Sequence, residues 1–303
     1  MHGRAPRKAG SNDVDADTLH RKLTAFNHRR LTPGAHASWR EDADSELAFL
    51  RLEHDFVEGE LSRVQQRAAQ VPRDPDAFVA WFEGLETHGP GQRDPLFPWL
   101  ATLAPLEAVR WFLEQEVAGE AGFEDLVALT QVKMPKRAKL ELARNYWDEM
   151  GQGHESGMHG PMLSHLSEAL GLRPDPRRVV WESLALGNLM LAFGANRRYA
   201  YHSLGALGVI ELTAPGRAAH VNQGLKRLGV AGDVRQYFAL HATLDVKHSE
   251  AWNREILRPL VADEPELALP LAEGALLRLE AGARCFDRYR QVLWHDGALE
   301  LSA

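Results

Sequence analysis

Apolar residues recur at intervals of three and four along nearly the whole chain, and period-two alternation is nearly absent. That pattern gives a helix one apolar stripe and gives a strand no face to bury, so it restricts the chain to helix packed on helix. The stripes run over residues 16–29, 42–70, 75–85, 97–130, 137–150, 160–170, 177–193, 197–213, 216–228, 232–261 and 264–293. Breakers fall between them: Pro33-Gly34, Gly89-Pro90-Gly91, Pro135, Gly151-Gln152-Gly153, Pro174, Pro176, Pro215-Gly216 and Gly229 to Gly232. An all-α fold follows, with short connections that imply antiparallel neighbours. Residues 1–15 read as a polar, disordered leader. Residues 16–95 read as an N-terminal helical extension packed on the core, and 96–295 as the main bundle. No strand precedes a glycine-rich turn, so no dinucleotide or phosphate-loop unit is expected.

Composition narrows the partners. The 303 residues carry 35 Lys+Arg against 42 Asp+Glu, a formal charge of −7, which offers no overall cationic field for nucleic acid or an anionic membrane. No apolar run is long enough for a membrane span, and the opening MHGRAPRKAGSNDVDAD lacks the apolar core of a signal peptide. The one cysteine, Cys285, makes neither an internal disulfide nor a thiolate metal site, and the reducing cytoplasm is the expected compartment. Fourteen histidines beside the 42 carboxylates are the residue types that bind hard and borderline metals. What matters is which of them lie on faces that should be dry.

Three segments stand out. In Tyr237-Phe238-Ala239-Leu240-His241-Ala242-Thr243-Leu244-Asp245-Val246-Lys247-His248, helical geometry sets Asp245 roughly 40° and His248 roughly −20° from His241. All three therefore share the stripe of Val234, Tyr237, Phe238, Leu244 and Trp252. A buried His–Asp pair with a spare histidine is the plain alternative. Burying three such groups without strong partners costs several kcal/mol, which a metal repays. Glu211 is the only charged acidic or basic residue between Tyr199 and Gly216, one turn after Leu207 and Gly208. Such a carboxylate is protonated, paired or ligating, unless the helix end near Pro215 exposes it.

In Asn145-Tyr146-Trp147-Asp148-Glu149-Met150, Asp148 stands four residues after Arg144 and is expected to pair with it on the surface. Glu149 follows Leu142, Asn145 and Tyr146 on the inner face and is the better ligand. His159 re-enters after the glycine-rich break, with His154 and His165 as alternatives that spacing does not separate. Upstream, Glu116 shares a face with Phe112, Leu113 and Phe123, with Glu120 one turn further as the reserve. If that helix forms a hairpin with the next, turning near Pro135, Glu116 and Glu149 come level. Glu116, Glu149, Glu211 and Asp245 would balance two divalent cations, and His159, His241 and His248 would complete a mixed N/O set suited to iron or manganese.

The order of these residues, with Glu149 and His159 ten apart, then Glu211, then His241-x3-Asp245-x2-His248, resembles the heme-oxygenase-like diiron oxidases and oxygenases. The stretches Phe123 to Gln131 and Asn145 to Gly151 look like the branch called iron-containing redox enzymes. The resemblance spans about residues 95–290. It implies a bundle of about seven core helices holding two irons that react with O2, with no heme. In that likeness Glu116 is the first-helix, bridging carboxylate, Glu149 and His159 bind one iron with His248, and Glu211, His241 and Asp245 bind the other. The implied activities are N-oxygenation of a small amine or amino-acid-like metabolite, expected in natural-product biosynthesis, or desaturation, decarboxylation or C–C cleavage of an amino or fatty acid. An external electron donor and a homodimer stay open. Tyr201, His202, Trp147 and Trp252 are candidates to line the substrate pocket. Thiaminase-like relatives with a cysteine nucleophile would have to use Cys285, and a metal-free helical scaffold is the reading from another class.

Overall fold

The computed structural model describes residues 11–34 and 39–295. The expected leader lies outside the described residues over 1–10, but 11–15 already belong to the first helix. Among the described residues the elements are α1 (Ser11–Leu31), α2 (Trp39–Ala68), α3 (Pro75–His88), α4 (Leu96–Thr102), α5 (Leu106–Gly119), α6 (Phe123–Thr130), α7 (Lys136–Glu149), α8 (His159–Ala169), α9 (Trp181–Ala195), α10 (Ala200–Arg227), α11 (Gln236–Trp252), α12 (Arg258–Asp263) and α13 (Ala268–Arg290). A π-helical turn, Asn253–Leu257, joins α11 to α12. The fold is all-α, as the periodicity predicts, and the only strand-like pairing among these residues is an isolated bridge between Met150 and Met158. Among them, too, no helix is long and apolar enough to cross a membrane.

α10 is the central element, packed against α11, α13, α4, α3 and α9. Its apolar run from Leu204 to Val209 is wholly buried, and glycines let its neighbours approach. A Cβ on Gly205 would lie 1.8 Å from the Leu271 carbonyl oxygen, and one on Gly274 would lie 1.9 Å from that of His202, so α10 and α13 touch backbone to backbone. α10 also differs from the sequence reading, because it runs through Pro215 rather than stopping there. Proline lacks the N–H that would bond the carbonyl four residues back, and here that carbonyl belongs to Glu211. Packing on both sides outweighs the lost bond, and Glu211 ends up mid-helix and 2% exposed rather than at a helix end.

The N-terminal helices cover this core. α1 lies on α9 and α2 on α13. Asn27 Nδ2 donates to Asn188 Oδ1 at 2.9 Å, Asn188 Nδ2 donates to the His20 carbonyl at 3.0 Å, and Arg30 pairs with Glu53 at 2.6 Å.

The stripe over 97–130 is the other departure. It divides into α4, α5 and α6, with Gly122 at φ +75° between the last two. Glycine adopts that left-handed conformation at no steric cost. The hairpin partner of α7 is therefore α6 and not the helix that carries Glu116.

Candidate metal centre

α11 presents its polar residues as the 3.6-residue period requires: Asp245 and His248 are buried, while Val246 and Lys247 are exposed. α10 brings Glu211, and the C-terminal end of α7 brings Glu149, 2% exposed. His159 opens α8 and is 4% exposed, whereas His154 is exposed and His165 lies 53% exposed near Asp233. His159 is therefore the histidine that enters the core. Residues 150–158 form a tight loop that returns the chain to Glu149, closed by the Met150–Met158 bridge. Gly151 makes the return at φ +60°, and a Cβ there would sit 2.4 Å from the Gly157 carbonyl carbon. Gly151→Ala is expected to cost about 1–3 kcal/mol and to separate His159 from Glu149, read as a lower melting temperature and weakened iron binding.

Two groups of donor atoms, each within 4.8 Å, share one residue: Glu149 with His159 and His241, and Glu149 with Glu211 and His248. Glu149 and His159 are in direct contact, the His159 and His241 rings lie 4.4 Å apart, and His248 Nδ1 is 3.5 Å from Glu211 Oε2. This grouping differs from the one the resemblance implies, which puts His248 with His159 and His241 with Glu211. Seven residues of helix separate His241 from His248 by about 10.5 Å along the axis, so each meets a different neighbour. Asp245 is buried between them and feels the charges of Glu211 and Glu149.

The hydrogen bonds around these side chains orient them inward. His241 Nδ1 lies 2.8 Å from the Tyr237 carbonyl, so that nitrogen donates and Nε2 keeps its lone pair. His248 Nε2 lies 3.2 Å from Asp148 Oδ2, which leaves Nδ1 facing Glu211. Asp148 thus departs from expectation, since Arg144 pairs with Glu141 and Asp148 holds a histidine in place. Asn145 Nδ2 donates to Glu211 Oε1 at 2.5 Å.

What lacks a hydrogen bond here fits a metal. His159 Nε2 and Asp245 Oδ1 are buried without a hydrogen-bond partner, Glu149 Oε2 and His159 Nδ1 meet only each other, and His248 Nδ1 meets only Glu211, a concentration of poorly satisfied polar atoms that native cores avoid. Burial, then the Glu211 charge, pushes Glu149 up to about 9, and burial with Glu211 and Glu149 does the same to Asp245. Burial lowers His159 and His241 to about 4. His248 is the exception: burial opposes its charge, but Glu211, Asp148 and Glu149 outweigh it and hold it up at about 9. Carboxylates that would ionise only at high pH beside neutral imidazoles are a set a divalent cation can organise.

Glu116 falls outside both groups. Its Oε1 accepts from the Tyr289 hydroxyl at 2.9 Å, and it lines the adjoining cavity. Glu120 is exposed at the end of α5, accepting from Gly122 N–H at 3.1 Å. The carboxylate that sequence reasoning passed over is Glu124, on the first turn of α6. Its charge reaches Glu149 and His159, and its Oε1 stands 3.2 Å from where Gly160 would carry a Cβ, next to His159. The signal was present, since Gly122 marks the end of the helix that bears Glu116 and Glu124 opens the next one.

The cavity beside the cluster is lined by Glu149, Glu211, His241 and Asp245 at one end and by Phe123, Leu186, Met190, Ile210, Tyr237 and Arg278 beyond. None of Trp147, Tyr201, His202 and Trp252 lines it. Trp252 is core, donating to the Leu204 carbonyl at 3.2 Å, Trp147 is 54% exposed against Gly153, and His202 pairs with Glu273 at 3.1 Å. Cys285 is fully buried and does not line this cavity, and burial pushes its thiol pKa up, away from the thiolate a nucleophile needs.

An all-α bundle enclosing a shared-carboxylate cluster of buried histidines and acids defines a class, the helical metalloproteins whose non-thiolate N/O donors come from facing helices. Within that class the chain belongs to the iron-containing redox enzyme family, whose model matches residues 110–283, more than half of the chain and all of the cluster. No curated protein sequence matches it. Among solved structures, a CADD-like protein of unknown function from Nostoc punctiforme is similar, with 19% identity and a TM-score of 0.46 over 78% of this chain and 98% of that one.

Proposed function

We propose that this member of the family is an O2-activating non-heme diiron oxidase or oxygenase acting on a small amine or amino-acid-like metabolite, with N-oxygenation ahead of desaturation, decarboxylation or C–C cleavage. The observation that carries the reading is the cluster of buried donor atoms without hydrogen bonds on Glu149, His159, Asp245 and His248, most of them in two groups that share Glu149. Glu149, His159 and His241 would hold one iron and Glu149, Glu211 and His248 the other, with Asp245 and Glu124 as further carboxylates. When bound, two ferrous ions supply electrons to O2 at a site that needs no other redox group in the protein. The chain's own contribution is to fix the donors. The Tyr237 carbonyl and Asp148 set the two α11 histidines, and Asn145 restrains Glu211. The apolar walls from Phe123, Leu186 and Ile210 exclude water from the cavity.

The test is anaerobic Fe(II) titration of chelator-treated protein with elemental analysis, followed by O2 in the presence of candidate amines and acids and product mass spectrometry. Two irons per chain, and an O2-dependent product gaining an N–O bond, are the expected results. Absence of transition-metal binding under reducing conditions would overturn the reading in favour of a helical scaffold.

A further inference from the structure

The cavity beside the cluster does not end there. A second lobe continues away from the metal end, and the two share Glu116, Tyr237, His241 and Arg278 along their common wall. The far lobe is walled by Phe97, Phe112, Val221, Phe238 and Phe286 and holds a second guanidinium, Arg217. Two arginines in such a setting require explanation. Elsewhere in the bundle, inward-reaching arginines meet carboxylates: Arg30 with Glu53 at 2.6 Å, Arg284 with Glu60 at 2.6 Å and Arg288 with Glu182 at 2.7 Å. Arg278 makes no hydrogen bond or ion pair among the described residues, and its Nε is buried without a partner. Among the described residues Arg217 donates only to the neutral Thr213 hydroxyl, at 2.9 Å, with its guanidinium 5.7 Å from the centre of the Phe286 ring.

No carboxylate among the described residues bonds either guanidinium directly. Glu116 and Glu120 both place their charge on Arg278, and Glu116 also on Arg217, but Glu116 accepts from the Tyr289 hydroxyl and Glu120 from the Gly122 N–H instead. Arg217 in addition feels the Arg278 charge as a like neighbour. Guanidiniums in a largely apolar enclosure that no carboxylate touches are costly unless an anion joins them. A guanidinium is the group shaped to take a carboxylate through two parallel hydrogen bonds. Space is provided for it, since Gly282 follows Arg278 by one turn and a Cβ there would lie 3.0 Å from Arg278 Nη1.

The geometry points to a substrate that is an aliphatic carboxylate, its carboxylate held by Arg278 and Arg217 and its chain running past Tyr237 and His241 to the Glu149 cluster. This rests on the cluster being the oxidation site. It adds that the reacting atom is the end of the molecule remote from the carboxylate. Chemistry on a distal amine or methylene is therefore favoured over oxidative decarboxylation. The same anchor would serve an amino acid or an unsubstituted acid, and the two are separated by experiment.

Binding is measured by calorimetry on the full chain in its chelator-treated, metal-free form, using hexanoate, 6-aminohexanoate, L-norleucine and hexylamine. Hexanoate and 6-aminohexanoate are expected to bind and hexylamine not to. Preference for 6-aminohexanoate over hexanoate identifies a distal amine as part of the substrate, and the reverse identifies a simple acid. Arg278→Met is expected to weaken carboxylate binding about 10- to 100-fold, the worth of a charge-assisted pair, with Arg278→Lys recovering part of it. Arg217→Met serves as the second variant should Arg278→Met fail to fold. Hexylamine binding as tightly as hexanoate, or carboxylate affinity unchanged in both methionine variants, would overturn the proposal. Iron stoichiometry is read separately on the same samples. Carboxylate binding without iron binding overturns the diiron reading, and iron binding without carboxylate selectivity overturns this one.

Discussion

Glu149→Gln is expected to abolish tight iron loading altogether, while His241→Ala and His248→Ala each remove about half of it. The asymmetry follows from geometry, because Glu149 belongs to both donor groups and each α11 histidine to one. Anaerobic titration with elemental analysis would read about two irons in the parent chain, about one in each histidine variant and near none in the glutamine variant. The isosteric amide keeps the packing of a residue that is 2% exposed but supplies a weaker, neutral oxygen. Asp148→Asn is a useful companion. It leaves the ligands in place but takes the carboxylate from His248 Nε2, and loss of such an orienting partner typically costs 10- to 100-fold in metal affinity. Equal losses from Glu149→Gln and His241→Ala would contradict a shared carboxylate.

The second large effect concerns the metal-free protein, whose melting temperature is expected to fall steadily from pH 6.5 to 9. In the native state Glu149, Asp245 and His248 keep their protons up to about 9, whereas in the unfolded chain carboxylates release theirs near 4 and histidine near 6.5. Over that window the native state binds more protons than the unfolded state, so stability declines as pH rises. Each proton involved contributes up to about 1.4 kcal/mol per pH unit. His159 and His241, held at about 4, act in the opposite sense but only below about 6.5. Iron replaces the protons with fixed positive charge, so the loaded protein is expected to lose this pH dependence and to release protons as it loads. Thermal melts of chelated and loaded samples across the range measure both. A flat profile for the chelated protein would show that the carboxylates are not held as the structure has them.

Much of the site is legible in the sequence, and the reasons are local. The 4- and 3-residue spacing of His241, Asp245 and His248 puts all three on one face of a helix whatever that helix packs against, and Asp245 and His248 are indeed buried there. Glu211 stands out because apolar residues surround it along the chain, and Glu149 because it follows Leu142, Asn145 and Tyr146 on the inner face of its helix. The separation of helix interiors from the loop at Gly151 to Gly153 is local as well. Glu116 shows where such reasoning ends. Its helical face is apolar as expected, but that face turns to Tyr289, Arg278 and the cavity. Glu124, on a short helix with little pattern of its own, is a further carboxylate whose charge reaches His159.

The sequence by itself determined an all-α chain and set Glu149, Glu211, Asp245 and His248 on inward faces, since burial along a helix follows its 3.6-residue period, but it left His159 level with His154 and His165. Only the tertiary structure decided how they meet. The φ +75° turn at Gly122 sets which helix pairs with α7, and close passage at Gly205 and Gly274 sets how α10 and α13 cross. The same packing made Glu149 the common member of two groups, turned Asp148 from the surface toward His248 and left Arg278 facing a cavity without a partner. These are distances between residues far apart in the chain, fixed by the packing of several helices at once, and no periodicity along one helix contains them.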